Sequence, residues 1–491
     1  MIRPDRIFDH ARELAVIPHA PYLYRPTVHH LVALLNDLGM QPRSAPSADP
    51  EFGVYAIDDY ALYVHIRRGR AARPLIVDTH LDHPAFVLDG TGSGVALGSL
   101  GLSRLQDLTA RAPVPIRVFA PSGELIGTRQ IIRLDRAQRP IITLAPDAPV
   151  PADSHGLWDV TDFSLDETWL QMHSADNIIA TGVQLASLEA VTNDPTRYAD
   201  IDIIYIFTFL EEIFEVSASM IACRKRTPFG EITPNHLIVV LEAMEVIPLA
   251  YRRSSSTNDH FSVADLRQMR IDDETWVLGL REESDLLHSL RESYDALQLH
   301  LPHPDNGLML KVNDLDCAYG YSFGTENNDA ESLALEAVHR LRLVHQHTLF
   351  GGACNGTAFS HFPTSSHIIT LAIPNPAKHN IGADGAVIPE RVRVRDVVAM
   401  AHTLDHMIGA ASHMVIPPAA PTLTGRLRRD ILPLTPGIAR QLRAERGSIA
   451  WSARWRLRHG RFFGADSFQQ LSFLARGGVA RGVEQLWRRF G

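Results

Sequence analysis

Apolar residues recur every three to four positions in two segments near the start of the chain. Both "DRIFDHARELAVI" and "TVHHLVALLNDLGM" have this spacing, which predicts two amphipathic helices. Two alternating segments, "FGVYAID" and "ALYVHIR", follow and predict a β-hairpin. The continuous apolar run "PLIVD" (74–78) then predicts a central strand that is covered on both faces.

The pattern changes between residues 84 and 165. Gly, Pro and Ser interrupt short apolar segments such as "PIRVFA" and "PIITLAP", and no convincing helical periodicity is present there. This stretch predicts a small all-β unit that is inserted into the larger fold.

After residue 165, strand-like and helix-like segments alternate. The segments "DIDIIYIFTF", "HLIVVLEA" and "HIITLAIP" have strand character, whereas "ADNIIATGVQLASLEAVT" and "RVRDVVAMAHTLDHMI" have helical periodicity. This alternation predicts the α/β class, with a mixed, largely parallel sheet that is sandwiched by helices.

These patterns predict three kinds of unit along the chain. A main domain is divided into residues 1–83 and 166–415, and the β domain (84–165) is inserted between its two parts. Residues 416–491 form a separate C-terminal extension. A chain of 491 residues exceeds the size of one simple core, which agrees with several units.

Composition narrows the class of protein. Apolar residues make up 45% and charged residues 21% of the chain, which is ordinary for a soluble globular protein. The longest apolar run, "IIYIFTFL" (203–210), is too short to cross a bilayer, and the first residues lack a signal-peptide pattern. Three widely spaced cysteines argue against a disulfide framework. We therefore predict a cytoplasmic protein.

The C-terminal extension differs from the rest of the chain in charge. It has 14 Arg and no Lys against four acidic residues, whereas the whole chain has a net charge of −9. It opens with a Pro-rich stretch and carries Trp451, Trp455 and Trp487. Such a segment could bind nucleic acid or an anionic membrane surface. We favour a helical appendage that docks on the acidic body.

Titratable side chains stand where four of the predicted strands end, and one more stands where a loop enters a helix. In open α/β sheets, sites form at the carboxyl ends of the strands, so these side chains predict a single site. The residues are His80, Asp82, Glu211, Glu212, Glu242 and His379 at the strand ends, and Asp176 at the start of the helix.

The residue types indicate a metal centre. Histidines and carboxylates are right for Zn²⁺ and acceptable to Co²⁺ or Mn²⁺, and the absence of Cys argues against a structural zinc. Two histidines and three carboxylates are too many for one catalytic zinc with an open position, but they suit two metals that share a carboxylate. The alternative, for any one residue alone, is a capping or solvated group.

Four motifs in a fixed order carry a resemblance to a known family. With "DTHLDHPAF", "SADN", "FLEE" and "AIPNPAKH", the chain resembles the co-catalytic zinc aminopeptidases of the tetrahedral-aminopeptidase type, over roughly residues 5–412. That family includes glutamyl and deblocking aminopeptidases and endoglucanase-like proteins. The resemblance implies a zinc-exopeptidase fold, a β domain that can roof the active site and help build homo-oligomers, and the removal of N-terminal residues from peptides.

The resemblance also implies two metal ions that share one ligand. His80, Asp176 and Glu242 would hold one metal, and Asp176, Glu212 and His379 would hold the other. His361 and His367 are the nearby alternatives to His379.

Two further residues receive roles from the resemblance. Asp82 would hydrogen-bond His80 and fix its tautomer, and Glu211 would be the general base that moves a proton from water to the leaving amine. The family usually has Asp where Glu242 stands, so Glu245 stays open as an alternative ligand. The sequences around Glu211 and His379 also depart from the family pattern, so substrate specificity does not carry over.

Other functions fit the sequence less well. "GYSFG" (320–324) matches a nucleophile elbow with Ser322, but the segment before it is polar and is not a buried strand. Another amide hydrolase of the same clan, such as a dipeptidase, carboxypeptidase or deacylase, would have the same ligands. A non-catalytic relative that binds peptides is a further alternative. The acidic body disfavours a nucleic-acid-binding protein.

Overall fold

The structure is a computed structural model of the chain. It describes residues 1–98, 109–110, 112–135, 141–146, 149–213, 215–245, 303–311, 328–348, 354–361, 365, 367–382 and 386–413. Four features of the sequence lie outside this description: the C-terminal extension, Ser322 and the side chains of Glu245 and His361.

The described strands form a central sheet, an inserted barrel, a three-stranded sheet and a two-stranded sheet. In chain order they are β1 (Gln41–Pro42), β2 (Val54–Ile57), β3 (Ala61–Arg68), β4 (Leu75–His80), β5 (Ala85–Leu88), β6 (Ser93–Leu97), β7 (Val114–Phe119), β8 (Leu125–Asp135), β9 (Ile141–Leu144), β10 (Ser154–Trp158), β11 (Phe163–Leu165), β12 (Trp169–Met172), β13 (Ile201–Thr208), β14 (Arg226–Thr227), β15 (Gly230–Glu231), β16 (Leu237–Glu245), β17 (Leu308–Lys311), β18 (His345–Thr348), β19 (Ile368–Asn375) and β20 (Glu390–Arg393).

The helices of the described chain surround the central sheet. They are α1 (Pro4–Ala15), α2 (Arg25–Asp37), α3 (Ala175–Asn193), α4 (Val216–Arg224), α5 (Asp329–Arg340), α6 (Asn355–His361) and α7 (Val394–His413), with a 3₁₀ helix at Lys378–Asn380. None of these described helices is both long enough and apolar enough to cross a membrane.

The predicted α/β class is confirmed. Within the described chain, nine strands form one sheet in the order β1-β2-β3-β13-β4-β16-β19-β17-β18. Its centre, from β13 through β4 and β16 to β19, is parallel, whereas β3 and β17 run antiparallel to their central neighbours. The predicted hairpin is β2 and β3, and the strand predicted from "PLIVD" is β4, with β13 and β16 on either side.

Alternate residues of the central strands pack on opposite faces of the sheet. In β4, Leu75 and Val77 join a hydrophobic core with α1, α2, α3 and α7. Ile76, between them, joins a second core with α4 and α6 on the other face. This burial on both faces explains why the strand is continuously apolar instead of alternating.

The predicted β insert is a closed barrel with strand order β10-β5-β6-β9-β8-β7. Its interior has its own hydrophobic core, in which Phe86 and Trp158 pack edge to face with ring centroids 5.1 Å apart. The barrel begins five residues after the end of β4, so the chain leaves the sheet at His80 and enters the barrel at Ala85. The domain boundaries at residues 84, 165 and 415 stay predictions.

Candidate metal centre

The carboxyl ends of β13, β4 and β16 lie side by side because these strands are parallel. His80 is the last residue of β4 and pairs with Thr208 of β13. Asp78 pairs with Val240 of β16, so Glu242, two residues further on, lies level with His80. The sheet therefore brings His80, Glu242 and the turn that follows β13 to one edge.

The start of α3 brings Asp176 to the same edge. The backbone is not helical at Asp176 and Asn177, although both lie in the first turn of this helix. The backbone N–H of Asp176 donates to Oε2 of Glu390 at 2.7 Å, and Nδ2 of Asn177 donates to the carbonyl of Leu241 at 2.7 Å. These bonds tie the helix start to β20 and to β16.

The first triad consists of His80, Asp176 and Glu242, and all three side chains are fully buried. Nε2 of His80 lies 3.2 Å from Oδ1 of Asp176 and 3.5 Å from Oε1 of Glu242. Nδ1 of His80 bonds to the backbone carbonyl of Asp82 at 2.9 Å. Because a carbonyl only accepts, Nδ1 carries a hydrogen, and Nε2 is the ring nitrogen that faces the carboxylates and could bind a metal.

The second triad consists of Asp176, Glu212 and His379. Nε2 of His379 lies 3.4 Å from Oδ2 of Asp176 and 3.2 Å from Oε1 of Glu212. His379 has a φ of 60° and Asn380 a φ of 65°, so two consecutive residues adopt the left-handed conformation. Their turn is held by Oε1 of Glu390, which accepts from the N–H of His379, and by Nδ2 of Asn380, which donates to the carbonyl of His173 at 2.8 Å.

Asp82 connects the first triad to the paired glutamates. Its carboxylate accepts from the N–H of Glu211 at 3.0 Å and from the N–H of Glu212 at 3.1 Å. One carboxylate oxygen also lies 3.5 Å from Nδ1 of His80. The sequence predicted a contact with His80, and the structure adds that Asp82 fixes the backbone of the Glu211-Glu212 turn. Oε2 of Glu211 lies 3.8 Å from Nε2 of His80.

All seven residues singled out in the sequence therefore lie together in one site. Glu242 occupies the triad, whereas the side chain of Glu245 is outside the described part of the chain. His367 lies elsewhere, since its Nδ1 accepts from the N–H of Asp329 at 3.0 Å. The roles of these residues stay predictions.

Several solved structures have a similar overall fold. One is a TET aminopeptidase from a marine sediment archaeon of the Thaumarchaeota. The match covers 82% of this chain and 96% of that protein, with 10% sequence identity and a TM-score of 0.56. For an aminopeptidase from Desulfurococcus kamchatkensis, the match covers 87% of this chain and 98% of that protein, with 13% sequence identity and a TM-score of 0.51. A third is the TET1 peptidase of Pyrococcus horikoshii, which can assemble into a tetrahedron or a large octahedral shell. The match covers 82% of this chain and 98% of that protein, with 12% sequence identity and a TM-score of 0.50.

The chain has the fold of the TET aminopeptidases. The resemblance of the sequence motifs to that family is thereby confirmed at the level of the fold. No protein-family model matches the sequence, and no curated protein sequence matches it.

The electrostatics of this site favour a bound cation. Burial opposes a positive charge on His80, but Glu211 and Glu242 outweigh it and raise the pKa of the imidazole well above its usual value. Burial raises the pKa of Glu211 well above its usual range, and repulsion from Glu212 and Glu242 adds to the shift, while His80 opposes it. The negative charge that stabilises a cationic His80 would also attract a divalent cation.

The ligand atoms of both triads fit a metal ion. Nε2 of His80, Nε2 of His379 and Oδ1 of Asp176 are buried and make no hydrogen bond of normal geometry within the described chain. One oxygen of Glu212 and one of Glu242 share this property. Buried polar atoms are normally satisfied, so a cluster of such atoms indicates a missing partner. The donor set of nitrogen and oxygen suits zinc.

Two residues at the site were missed in the sequence. Nζ of Lys378 lies 2.9 Å from Oδ2 of Asp176, and its side chain is only 12% exposed. Burial opposes the charge of this ammonium, but Asp176 and the surrounding glutamates outweigh it and raise its pKa well above its usual value. The second residue is Glu390, whose carboxylate accepts from the N–H groups of both Asp176 and His379.

Proposed function

We propose that this protein is a metal-dependent aminopeptidase that removes N-terminal residues from peptides. It would use two divalent metal ions, zinc in the first place, with cobalt or manganese as alternatives. The observation that carries the proposal is a pair of buried triads that share Asp176, with Glu211 beside them. The TET-type fold of the chain supports the same activity.

The ligands follow from the two triads. His80, Asp176 and Glu242 would hold one metal, and Asp176, Glu212 and His379 would hold the other. Bound metal would polarise the scissile carbonyl and bring the pKa of water toward neutrality. The orientation of His80 is suited to this, since its Nδ1 is bonded to a carbonyl and its Nε2 faces the other ligands of the triad.

Glu211 is the general base in this proposal. Burial raises the pKa of this carboxyl group, which is the direction that suits a group that takes a proton from the attacking water and returns it to the leaving amine. Asp82 positions this carboxyl group by accepting from the N–H of Glu211. Glu212, whose N–H bonds to the other oxygen of Asp82, is oriented by the same residue.

We further propose that the protein is a homo-oligomer that acts on peptides small enough to enter it. The similar TET1 peptidase can assemble into closed shells, and this chain has a closed barrel inserted beside the proposed site. Light scattering of the purified full chain checks this part, and a monomer would contradict it.

The test of the activity is hydrolysis of a panel of aminoacyl-nitroanilides and N-blocked peptides by zinc- or cobalt-loaded protein. We expect cleavage that requires a free amino terminus, is lost with a chelator and is lost in Glu211→Gln. The exposed Glu167→Gln is the matched control and should behave as the wild type. Cleavage of blocked or carboxy-terminal substrates alone would assign a deacylase or carboxypeptidase instead. Full activity in metal-free protein would refute the mechanism.

A further inference from the structure

The hydrophobic core of the inserted barrel extends to the turn that carries His379. Ile381 lies two residues after His379 and outside the six barrel strands, and its side chain is only 6% exposed. It belongs to the same apolar cluster as Phe86 and Trp158 of the barrel interior, and the partly buried Val387 packs against that cluster. The segment that follows the turn is therefore packed into the barrel.

Backbone pairing connects Ile381 to the turn before it. Ile381 and Val387 form an isolated antiparallel bridge, and the N–H of Ile388 donates to the carbonyl of Asn380 at 2.9 Å. Because Asn380 is the last residue of the 3₁₀ turn Lys378–Asn380, a displacement of Ile381 would also displace this turn.

The connection between β4 and the barrel (residues 81–84) contacts the same turn. His83, in this connection, is fully buried, and its ring packs edge to face on the ring of His379 with centroids 6.1 Å apart. Nε2 of His83 lies 3.3 Å from Oε1 of Glu390, the oxygen that accepts from the N–H of His379. The barrel therefore reaches the turn both through its core and through its entry.

The turn needs support because its backbone conformation is unusual for residues with a side chain. His379 has a φ of 60° and Asn380 a φ of 65°. Residues other than glycine keep a left-handed conformation only where the surrounding structure determines it. The hydrogen bonds of Glu390 and Asn380 supply the polar part of this support, and the burial of Ile381 supplies an apolar part.

We propose that Ile381 is a positioning residue of the metal centre, because its side chain, held in the core of the barrel, fixes the turn that presents His379. The inserted barrel is then part of the scaffold of the triad of Asp176, Glu212 and His379. This inference rests on the proposed metal centre and adds to it the element that holds one of its ligands in place.

The expected effect of a smaller side chain follows from packing. Truncation of a buried isoleucine leaves a cavity that the surroundings fill only in part, so the backbone that the side chain held gains freedom. Metal ligands must stay within about 0.2 Å of their ideal distances, and the loss of a residue that orients a ligand usually lowers metal affinity by about 10–100-fold. The triad of His80, Asp176 and Glu242 has no ligand in the turn and should change less.

The test is a titration of metal-free full-length protein with Zn²⁺ in competition with a chromophoric chelator, with the bound zinc counted by elemental analysis. In Ile381→Ala one of the two zinc ions should bind about 10–100-fold more weakly. Ile381→Val keeps most of the side chain and should lose less. The matched control is Ile232→Ala, since Ile232 is 4% exposed and belongs to the core on the other face of the sheet. It should lose stability to urea but keep the zinc affinities of the wild type.

A second background assigns the effect to one triad. Glu212→Gln should already lack the zinc that Asp176, Glu212 and His379 would hold. Addition of Ile381→Ala to this variant should therefore leave the affinity of the remaining zinc unchanged. If circular dichroism shows that Ile381→Ala is unfolded, Ile381→Val and Ile232→Val replace the alanine pair, with the same expectations on a smaller scale.

Two outcomes would overturn the inference while the proposed metal centre stands. One is a variant of Ile381 that loses stability to urea but keeps both zinc affinities of the wild type. The other is an equal loss of zinc affinity in the variants of Ile381 and Ile232, which would mean that any loss of core packing weakens the site. Absence of zinc binding in the wild type would overturn the metal centre and this inference together.

Discussion

The two histidines of the proposed metal centre are held by different kinds of structure. His80 ends a central strand, is fully buried, and has its ring fixed by the carbonyl of Asp82. His379 lies in a 3₁₀ turn at a left-handed φ, and its side chain is 14% exposed. The sheet thus fixes one side of the site, which we call the strand side. Polar side chains fix the other, the turn side at Lys378–Asn380.

This difference predicts which substitutions should change metal affinity alone and which should also change folding. The strand side is dictated by hydrogen bonding within the sheet, so its ligand geometry changes little without disruption of the core. The turn side depends on a few bonds from Glu390 and Asn380, and it carries the ammonium of Lys378. Changes in metal affinity should therefore arise on the turn side, whereas changes on the strand side should affect folding as well.

The largest effect should come from a substitution that removes the residue shared by both sides. Asp176→Asn should lose the tightly bound zinc and reduce activity by more than about 10⁴-fold, because ligands and catalytic groups act as a unit. Elemental analysis after dialysis and initial rates on the best aminoacyl-nitroanilide measure this. The exposed Asp37→Asn is the control. A variant that keeps both its zinc and its activity would show that the two triads do not share this carboxylate.

Substitutions of the paired glutamates should affect catalysis and metal binding separately. Glu211→Gln should lower kcat by about 10²–10⁴-fold, the usual contribution of a general base, with its zinc content unchanged. Glu212→Gln should instead lose the zinc that Asp176, Glu212 and His379 would hold. Parallel kinetics and zinc analysis of the two variants measure both effects. Equal zinc loss in the two would mean that Glu211 is a ligand and not the base.

The sequence predicted the strand side better than the turn side, for a physical reason. A buried parallel strand needs a continuous apolar run, so the change to titratable residues at His80, the last residue of β4, and at Glu242, three residues before the end of β16, indicates the site. The turn side is assembled by contacts between distant segments. Glu390 lies 214 residues from Asp176 in the chain and still accepts from its N–H. No local pattern around "VIPERVRV" or "PAKHN" indicates such a contact.

A smaller effect should follow from a change of Asp82, which connects His80 to the backbone of Glu211 and Glu212. Asp82→Asn leaves one carboxamide oxygen to accept from two N–H groups, those of Glu211 and Glu212. We expect activity or zinc affinity to fall by about 10–100-fold, as for other residues that orient ligands. The chelator-competition titration and kcat/KM measure this. If only the stability of the protein falls, Asp82 has a structural role alone.

The smallest effect should come from Glu390, which supports the backbone on the turn side. Its two oxygens accept from the N–H groups of Asp176 and His379, and Oε1 also lies 3.3 Å from Nε2 of His83. Glu390→Gln replaces one acceptor with an amide donor, so one buried N–H loses its partner, at a cost of about 1–3 kcal/mol in the free energy of unfolding.

Urea denaturation measures this loss, and the exposed Glu13→Gln provides the control. Zinc affinity should fall with the stability of Glu390→Gln, because the same carboxylate sets the backbone of a ligand in each triad. A variant as stable as the wild type but weaker in zinc binding would place the effect in the ligand geometry alone. Unchanged stability and unchanged zinc binding would show that the turn side is held by Asn380 and not by Glu390.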